Sequence, residues 1–235
     1  MGGGGSQVGS WPGGSLLAQL SPAASTEFLA LGTARVVTAN TVLLHEGERS
    51  NHVLLLVNGC VKVTAAAQDG RVALLAIRVG GDLVGELGSL DDQPRSATVT
   101  TVGKVWLRVI TQASFHEFLA RRSDAALAIS KSVATKLRWA TRRRVDFSGC
   151  EVRVRLARVL VELAEGYGRT TSDGVVIGVS LTQPELAALV GAAEPTVHKA
   201  LAALRHDEVL STGYRRTTIR DYPALRAMAG VDLAS

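Results

Sequence analysis

Cysteine is nearly absent. The chain holds two, Cys60 and Cys150, ninety positions apart and without a Cys-x-x-Cys pair. Neither a disulfide framework nor a zinc or iron–sulfur centre is indicated, and no metal is expected. Long apolar runs are missing too: none approaches the roughly 18 to 20 residues that a membrane span requires. The N-terminus has no basic stretch followed by an apolar one, so the expectation is a cytoplasmic protein without a membrane partner. Catalytic constellations are also lacking. His45, His52, His116, His198 and His206 are scattered, and no Ser-His-Asp set, metal cluster or carboxylate pair stands out, which argues against an enzyme.

What is present is an apolar fraction of 46% in 235 residues, enough for a core in each of two modest domains, with one compact domain as the alternative. The net charge is +5, and the excess lies towards the back. From Lys136 onward there are 15 Lys and Arg against 11 Asp and Glu, whereas the preceding part has 11 against 10. A basic half suggests a polyanionic partner, although charge alone fits DNA, RNA or an acidic membrane equally. The opening Met1 to Ser15 is mostly Gly and Ser, a composition that buries too little to order itself. A disordered tail is therefore expected over residues 1–24.

Between Arg35 and Ile110 short apolar runs alternate with turn residues. The runs are Thr41 to Leu44, Val53 to Val57, Val61 to Val63, Val72 to Ile77, Ala97 to Thr101 and Val105 to Ile110. Turn signals fall at Glu46-Gly47, Asn58-Gly59, Asp69-Gly70 and Gly80-Gly81, which predicts an antiparallel sandwich, roll or barrel over 25–122. Gly and Pro then vanish from Gln112 to Ser148, so helices take over. A brief one is predicted near Ala113 to Ala120. A long one follows over 123–148, with Ser123 as its cap and Asp124 favourable in its first turn. Leu127, Ala134 and Leu137 have heptad spacing, which fits either a dimer seam or docking on the chain's own sheet. Val152 to Ala164 is helical again, with Leu156, Val159, Leu160 and Leu163 as its stripe. Arg153, Arg155 and Arg158 lie off that stripe, as solvated residues or as phosphate contacts.

In the last stretch, 149–235, Thr182-Gln183-Pro184-Glu185 is a capping-box sequence opening a helix that Gly191 ends. Glu194-Pro195-Thr196 starts another, running to about His206, with Val197, Ala200, Leu201 and Leu204 facing inward. Two short helices joined by a Gly-containing turn make a helix-turn-helix, whose second helix can enter the major groove of double-stranded DNA. Thr182, Gln183, Glu194, Thr196, His198 and Lys199 are candidate DNA contacts, with Thr196 and Lys199 best suited to base edges or phosphates. Val209 to Ile219 then forms two short strand-like runs carrying Arg215 and Arg216, as a wing on the DNA backbone would. A helical hairpin in an ordinary α/β domain is the alternative.

A second constellation lies in the front half. Gly80-Gly81-Asp82-Leu83-Val84-Gly85-Glu86-Leu87-Gly88-Ser89 follows a strand, with Arg95-Ser96-Ala97-Thr98 shortly after. Backbone N–H groups from Gly85 to Leu87, the Arg95 guanidinium and the Ser96 hydroxyl are suited to a phosphate, and the Glu86 carboxylate to sugar hydroxyls. It is no Walker loop, because Gly-Lys-Ser/Thr is missing. Taken alone the string is equally compatible with a plain loop.

Val84-Gly85-Glu86-Leu87-Gly88 through Arg95-Ser96-Ala97 resembles the phosphate-binding cassette of the cyclic AMP receptor protein (Crp/Fnr) family, and His45-Glu46-Gly47-Glu48 resembles that family's early strand-turn. The resemblance runs from about Ser25 to Tyr222 and includes the long helix, Val152-Arg153-Val154-Arg155-Leu156-Ala157 and the helix-turn-helix, in the family's order. It implies an α+β chain: an N-terminal antiparallel β-roll, a long central dimerisation helix and a C-terminal winged helix-turn-helix. It further implies a homodimer on a two-fold DNA site, with RNA polymerase as a further partner. Cyclic AMP or another cyclic nucleotide would place its phosphate on Arg95 and Ser96 and its ribose on Glu86, with Gly85 and Leu87 lending backbone.

Two departures stand out. The family's central-helix threonine falls on Ala140, with Thr141 beside it as the substitute ligand contact. Glu194 and Pro195 replace the recognition helix's leading arginine and glutamate, so a different operator is expected. The first departure leaves a second reading in which the pocket is vestigial or takes another ligand, such as cyclic di-GMP, and DNA binding is constitutive.

Overall fold

The computed structural model describes residues 11–66, 72–179, 181–213 and 216–230. Two short helices come first, α1 (Leu16–Gln19) and α2 (Pro22–Ala30). The front strands are β1 (Thr33–Val37), β2 (Val42–Leu44), β3 (His52–Asn58), β4 (Cys60–Ala66), β5 (Val72–Val79), β6 (Leu83–Val84), β7 (Thr98–Thr101) and β8 (Val105–Thr111), with helix α3 (Glu86–Leu90) between β6 and β7. They form two four-stranded antiparallel sheets, in the orders β1-β8-β3-β6 and β2-β7-β4-β5.

The uninterrupted apolar run of β3 has a simple cause: both faces are covered. Leu54 and Leu56 point between the sheets to Leu44, Val61, Val99 and Leu107. Val53 and Leu55 point outward, under the helices α1, α2, α4 (Gln112–Arg121) and α5 (Ser123–Gly149). Phe28 anchors that outer layer, its ring stacked on Phe118 with centroids 4.7 Å apart.

Several expectations are corrected here. From Trp11 onward the tail expected over 1–24 is ordered, because Leu16 and Leu17 are buried and the Trp11 indole N–H donates to the Val57 carbonyl at 3.0 Å; residues 1–10 lie outside the described ones. Apolar contact with β3 orders a segment too short to show periodicity. Strand β1 precedes the first predicted run and pairs along its length with β8. Ser123 is the first residue of α5 and not its cap; Asp124 instead accepts a hydrogen bond from Ser21 at 2.6 Å. The Asp69-Gly70 turn lies outside the described residues.

The two readings of the long helix separate onto different faces. Ala125, Ala128 and Ile129 are buried on the front domain, whereas Leu127, Leu137 and Val145 are exposed. The back half contains α6 (Val152–Tyr167), α7 (Gln183–Val190), α8 (Glu194–His206) and α9 (Tyr222–Met228). Beside them lies an antiparallel sheet of β9 (Gly168–Thr171), β10 (Gly174–Ile177), β11 (Leu210–Gly213) and β12 (Arg216–Ile219), in the order β11-β12-β10-β9. Strands β11 and β12 match the strand-like runs expected over Val209 to Ile219, and the β9–β10 hairpin and α9 are additional to the expected elements.

The halves share one core. Leu74, Ile77 and Val79 of β5 belong to the same buried cluster as Leu156, Leu160, Leu186 and Leu189. A register shift against β4 between Val63 and Thr64 makes this possible: the extra residue in β5 turns Leu74 to the face of Ile77 and Val79.

Replacing Phe28 by alanine is expected to lower stability by about 3–5 kcal/mol, the range for a buried aromatic removed from a packed core. Urea denaturation measures it; an unchanged midpoint would show that the N-terminal helices contribute no packing.

Candidate functional site

The glycine-rich string turns sharply at Gly85, which has φ 83° and stands immediately before α3. A Cβ there would lie 3.0 Å from the Arg95 Nη1 and from Leu44 Cδ1, so the backbone conformation and the close approach both favour glycine. Glu86 opens α3 and is buried; its Oε1 pairs with the Lys136 ammonium at 2.7 Å, and Lys136 also donates to the Leu83 carbonyl at 3.1 Å.

Arg95 is buried and richly bonded. Its Nε donates to Ser50 Oγ at 2.9 Å, its Nη1 to the Gly85 carbonyl at 2.5 Å, and its Nη2 to the carbonyls of Ser50, at 2.9 Å, and His52. The turn of Glu46 to Glu48 is fixed against it, since the Gly47 N–H donates to the Arg95 carbonyl and the Arg95 N–H to that of Glu48.

These residues open on a cavity of about 500 Å³. Gly85, Glu86, Leu87, Arg95 and Ser96 all line it, together with Val63 of β4, Leu75 and Arg78 of β5, and Ala188 of α7. The central helix contributes Lys136, Trp139, Ala140, Arg143, Arg144 and Phe147. Thr141, the expected substitute contact, is not among the lining residues and is exposed. The physical reason is helical phase: Lys136, Ala140 and Arg143 share a face at i, i+4 and i+7, and the next residue is rotated about 100° away. That spacing is the sequence signal for Lys136 and Arg143, which are not among the residues expected at the site.

Between the cavity and the back half lies a buried polar cluster. The Arg78 Nη1 donates to the Tyr167 hydroxyl at 3.2 Å, and that hydroxyl donates to the Ile77 carbonyl at 2.9 Å and sits 3.4 Å from Asp82 Oδ2. Asp82 accepts the Val79 N–H at 3.1 Å. Burial pushes the Asp82 carboxyl and the Tyr167 phenol above their ordinary values. Glu162, on α6, is paired with Arg143 at 2.9 Å, and burial drives its pKa up to about 7 despite that cation.

The helix-turn-helix is built from the two helices that the capping signals imply, α7 and α8. The Thr182 backbone N–H donates to Glu185 Oε2 at 2.8 Å, and the Glu185 N–H to Thr182 Oγ1 at 3.4 Å, a full capping box. Gly191 ends α7 with φ 65°. Val197, Leu201 and Leu204 are buried, while Glu194, Thr196, His198 and Lys199 are exposed on α8. Glu194 is the first residue of that helix, where a carboxylate suits the helix dipole. Thr182 and Gln183 are exposed at the start of α7 and Arg216 on the wing; Arg215 lies outside the described residues. Arg153, Arg155 and Arg158 are engaged within the chain: Arg153 with Asp207 at 2.6 Å, Arg155 with the Gly191 carbonyl at 3.2 Å and Arg158 with Asp146.

Two family models match the chain, a cyclic nucleotide-binding domain over residues 34–122 and a Crp-like helix-turn-helix domain over residues 154–228. The chain is similar to a CRP-like cAMP-activated global transcriptional regulator of Mycobacterium tuberculosis, 32% identical over 161 residues that cover 68% of this chain and 72% of that one. Among solved structures it resembles a CRP-family transcriptional regulator of Thermus thermophilus, with TM-score 0.65 and 25% identity over 83% of this chain and 96% of that one. A c-di-GMP responsive global regulator of Xanthomonas campestris shares the fold, with TM-score 0.66 and 21% identity over 85% of this chain and 99% of that one.

The raised Glu162 carboxyl predicts a pH dependence. The folded chain holds this proton more tightly than the unfolded one, so the group's contribution to stability is fully present below about pH 4.5, its ordinary value, and is lost as pH rises to about 7. Thermal unfolding across that range should show a decline that Glu162→Gln removes. An identical profile in the variant would contradict the assignment.

Proposed function

This chain belongs to the cyclic AMP receptor protein (Crp/Fnr) family of transcription regulators, and on that premise we propose that a cyclic nucleotide, such as cyclic AMP, controls its binding to DNA from the front cavity. A ligand-regulated DNA-binding regulator follows from pairing a cyclic nucleotide-binding domain with a Crp-like helix-turn-helix. The proposal adds the ligand, the residues and the assembly. The observation that carries it is the convergence of Gly85, Glu86, Leu87, Arg95 and Ser96 on one cavity. Arg95 and Ser96 take the cyclic phosphate, Glu86 the ribose hydroxyls, and the Gly85 to Leu87 backbone the remaining phosphate oxygen. The positive φ of Gly85 and the absence of a Cβ beside Arg95 give a phosphate room to approach the backbone. Trp139 and Phe147 offer apolar surface for a base on the central-helix side.

The front unit includes α1 and α2 and runs to Arg122, the central helix is α5 (Ser123–Gly149), and the DNA-binding unit follows from α6. A homodimer formed along the exposed Leu127, Leu137 and Val145 would present two α8 helices to a two-fold site. On each, Thr196 and Lys199 meet bases or phosphates, His198 and Glu194 flank them, and Thr182, Gln183, Arg215 and Arg216 meet the DNA backbone. RNA polymerase is the further partner that a regulator of this kind engages. A specific observation favours a second reading, a pocket for another ligand such as cyclic di-GMP with constitutive DNA binding. Ala140, which faces the cavity, has no hydroxyl to offer a base.

Isothermal titration with cyclic AMP, cyclic GMP and cyclic di-GMP tests the ligand. Saturable binding of a cyclic mononucleotide, weakened about ten- to a hundredfold by Arg95→Ala through loss of a charge-assisted pair, is the expected result. No heat with either mononucleotide would favour the second reading. For DNA, Lys199→Ala should weaken binding and reduce the slope of log affinity against log salt by about 1. A variant that matches the parent at every salt concentration would remove Lys199 from the interface.

A further inference from the structure

The capping carboxylate of the DNA-binding unit is held by the ligand-binding unit. Glu185 uses one oxygen to cap α7, while the other, Oε1, forms an ion pair with the ammonium of Lys62 on β4. The pair is largely sheltered, with side-chain exposures of 29% for Lys62 and 13% for Glu185. Burial raises the Glu185 carboxyl, and Lys62 together with the Thr182 backbone N–H and hydroxyl more than reverses this, leaving it below the usual carboxylate value.

The same two elements line the cavity. Val63 follows Lys62 on β4, and Ala188 lies three residues after Glu185 on α7, one helical turn further along the same face. A molecule filling the cavity therefore meets the strand and the helix that the ion pair joins.

The cassette beside this contact is turned inward. The Arg95 guanidinium donates to three backbone carbonyls and to Ser50 Oγ, and Glu86 is paired with Lys136. Four of the five Arg95 N–H groups are so engaged, so a phosphate gains more than one of them only by taking donors from these acceptors, and a sugar on Glu86 shares the carboxylate with Lys136. None of these bonds involves α7; what depends on its docking on β4 and β5 is the part of the cavity wall made by Ala188.

We propose that the Lys62–Glu185 pair is an autoinhibitory latch that holds the helix-turn-helix against the ligand-binding unit until a ligand occupying the cavity displaces α7. This rests on the reading of the cavity and of α8 given under Proposed function, and supplies its regulation. A ligand shifts such an equilibrium only through unequal affinity for the two arrangements, and the wall that Ala188 adds to the cavity when α7 is docked, and removes when α7 is displaced, provides that inequality. The latch lies outside the cassette, so it can be altered without touching the groups proposed to hold the nucleotide.

Lys62→Met removes the ammonium while retaining the apolar stem. Glu185→Gln removes the charge while a side-chain oxygen still caps α7, because glutamine is equally suited to a capping box. Full-length parent, both single variants and the double variant are compared by amide hydrogen exchange of α7 and by affinity for DNA selected from random duplexes, with and without cyclic AMP. Each single variant is expected to speed α7 exchange and to raise nucleotide-free DNA affinity by about fivefold or more, the lower range of allosteric coupling. The double variant should add little to either, since both substitutions break one interaction. Parental α7 exchange in both single variants would overturn the latch. So would faster exchange with unchanged or weaker DNA affinity in a parent that responds to cyclic AMP. Faster α7 exchange in both variants of a parent that does not respond would leave the docking contact standing and count against the proposed function.

Discussion

One strand serves two structures. β5 supplies Leu75 and Arg78 to the cavity wall, and Leu74, Ile77 and Val79 to the core built by α6 and α7. Close-packed interiors are not continuously deformable, so neither neighbour can shift against β5 without the other registering it. The irregularity between Val63 and Thr64 sets this double use, because it determines which β5 side chains face the back half. Cavity and helix-turn-helix are thereby tied by packing before any polar contact is considered.

The polar contacts sharpen that tie. Arg78 lines the cavity and also bonds Tyr167 at the end of α6, while Arg143 on the central helix links the Leu75 carbonyl to Glu162. Buried donors and acceptors of this kind are costly to leave unpaired. Few intermediate placements of α6 satisfy them, which favours discrete arrangements over gradual ones. Glu162, with its carboxyl raised to about 7, is the member of the set whose charge changes near neutrality.

Much of this was legible in the sequence, and the losses are instructive. The strands Val53 to Val57 and Val105 to Ile110 and the helices opened by Thr182 and Glu194 announce themselves through local chemistry: apolar runs, turn glycines and a capping box. The glycine string and Arg95 could be linked to one site because they are close in the chain. Leu16, Leu17 and Phe28 could not be foreseen as buried, because their partners on β3, α4 and α5 are distant in sequence. Thr141 has the chemistry of a ligand contact, but helical phase puts Ala140 at the cavity in its place. The carbonyl partners of Arg95 at Ser50 and His52, and the pairing of Lys62 with Glu185, depend on how separate elements dock, which no local pattern encodes.

The central claim is that occupancy of the front cavity changes what the back half does on DNA. The most direct test is the affinity of the parent chain for duplexes selected from random DNA, measured by fluorescence anisotropy at one fixed salt concentration, with and without saturating cyclic nucleotide. The account predicts a change of about 5- to 150-fold in the dissociation constant, the usual span of coupling between two sites. Equal affinities in the two conditions, with nucleotide binding shown independently, would contradict it.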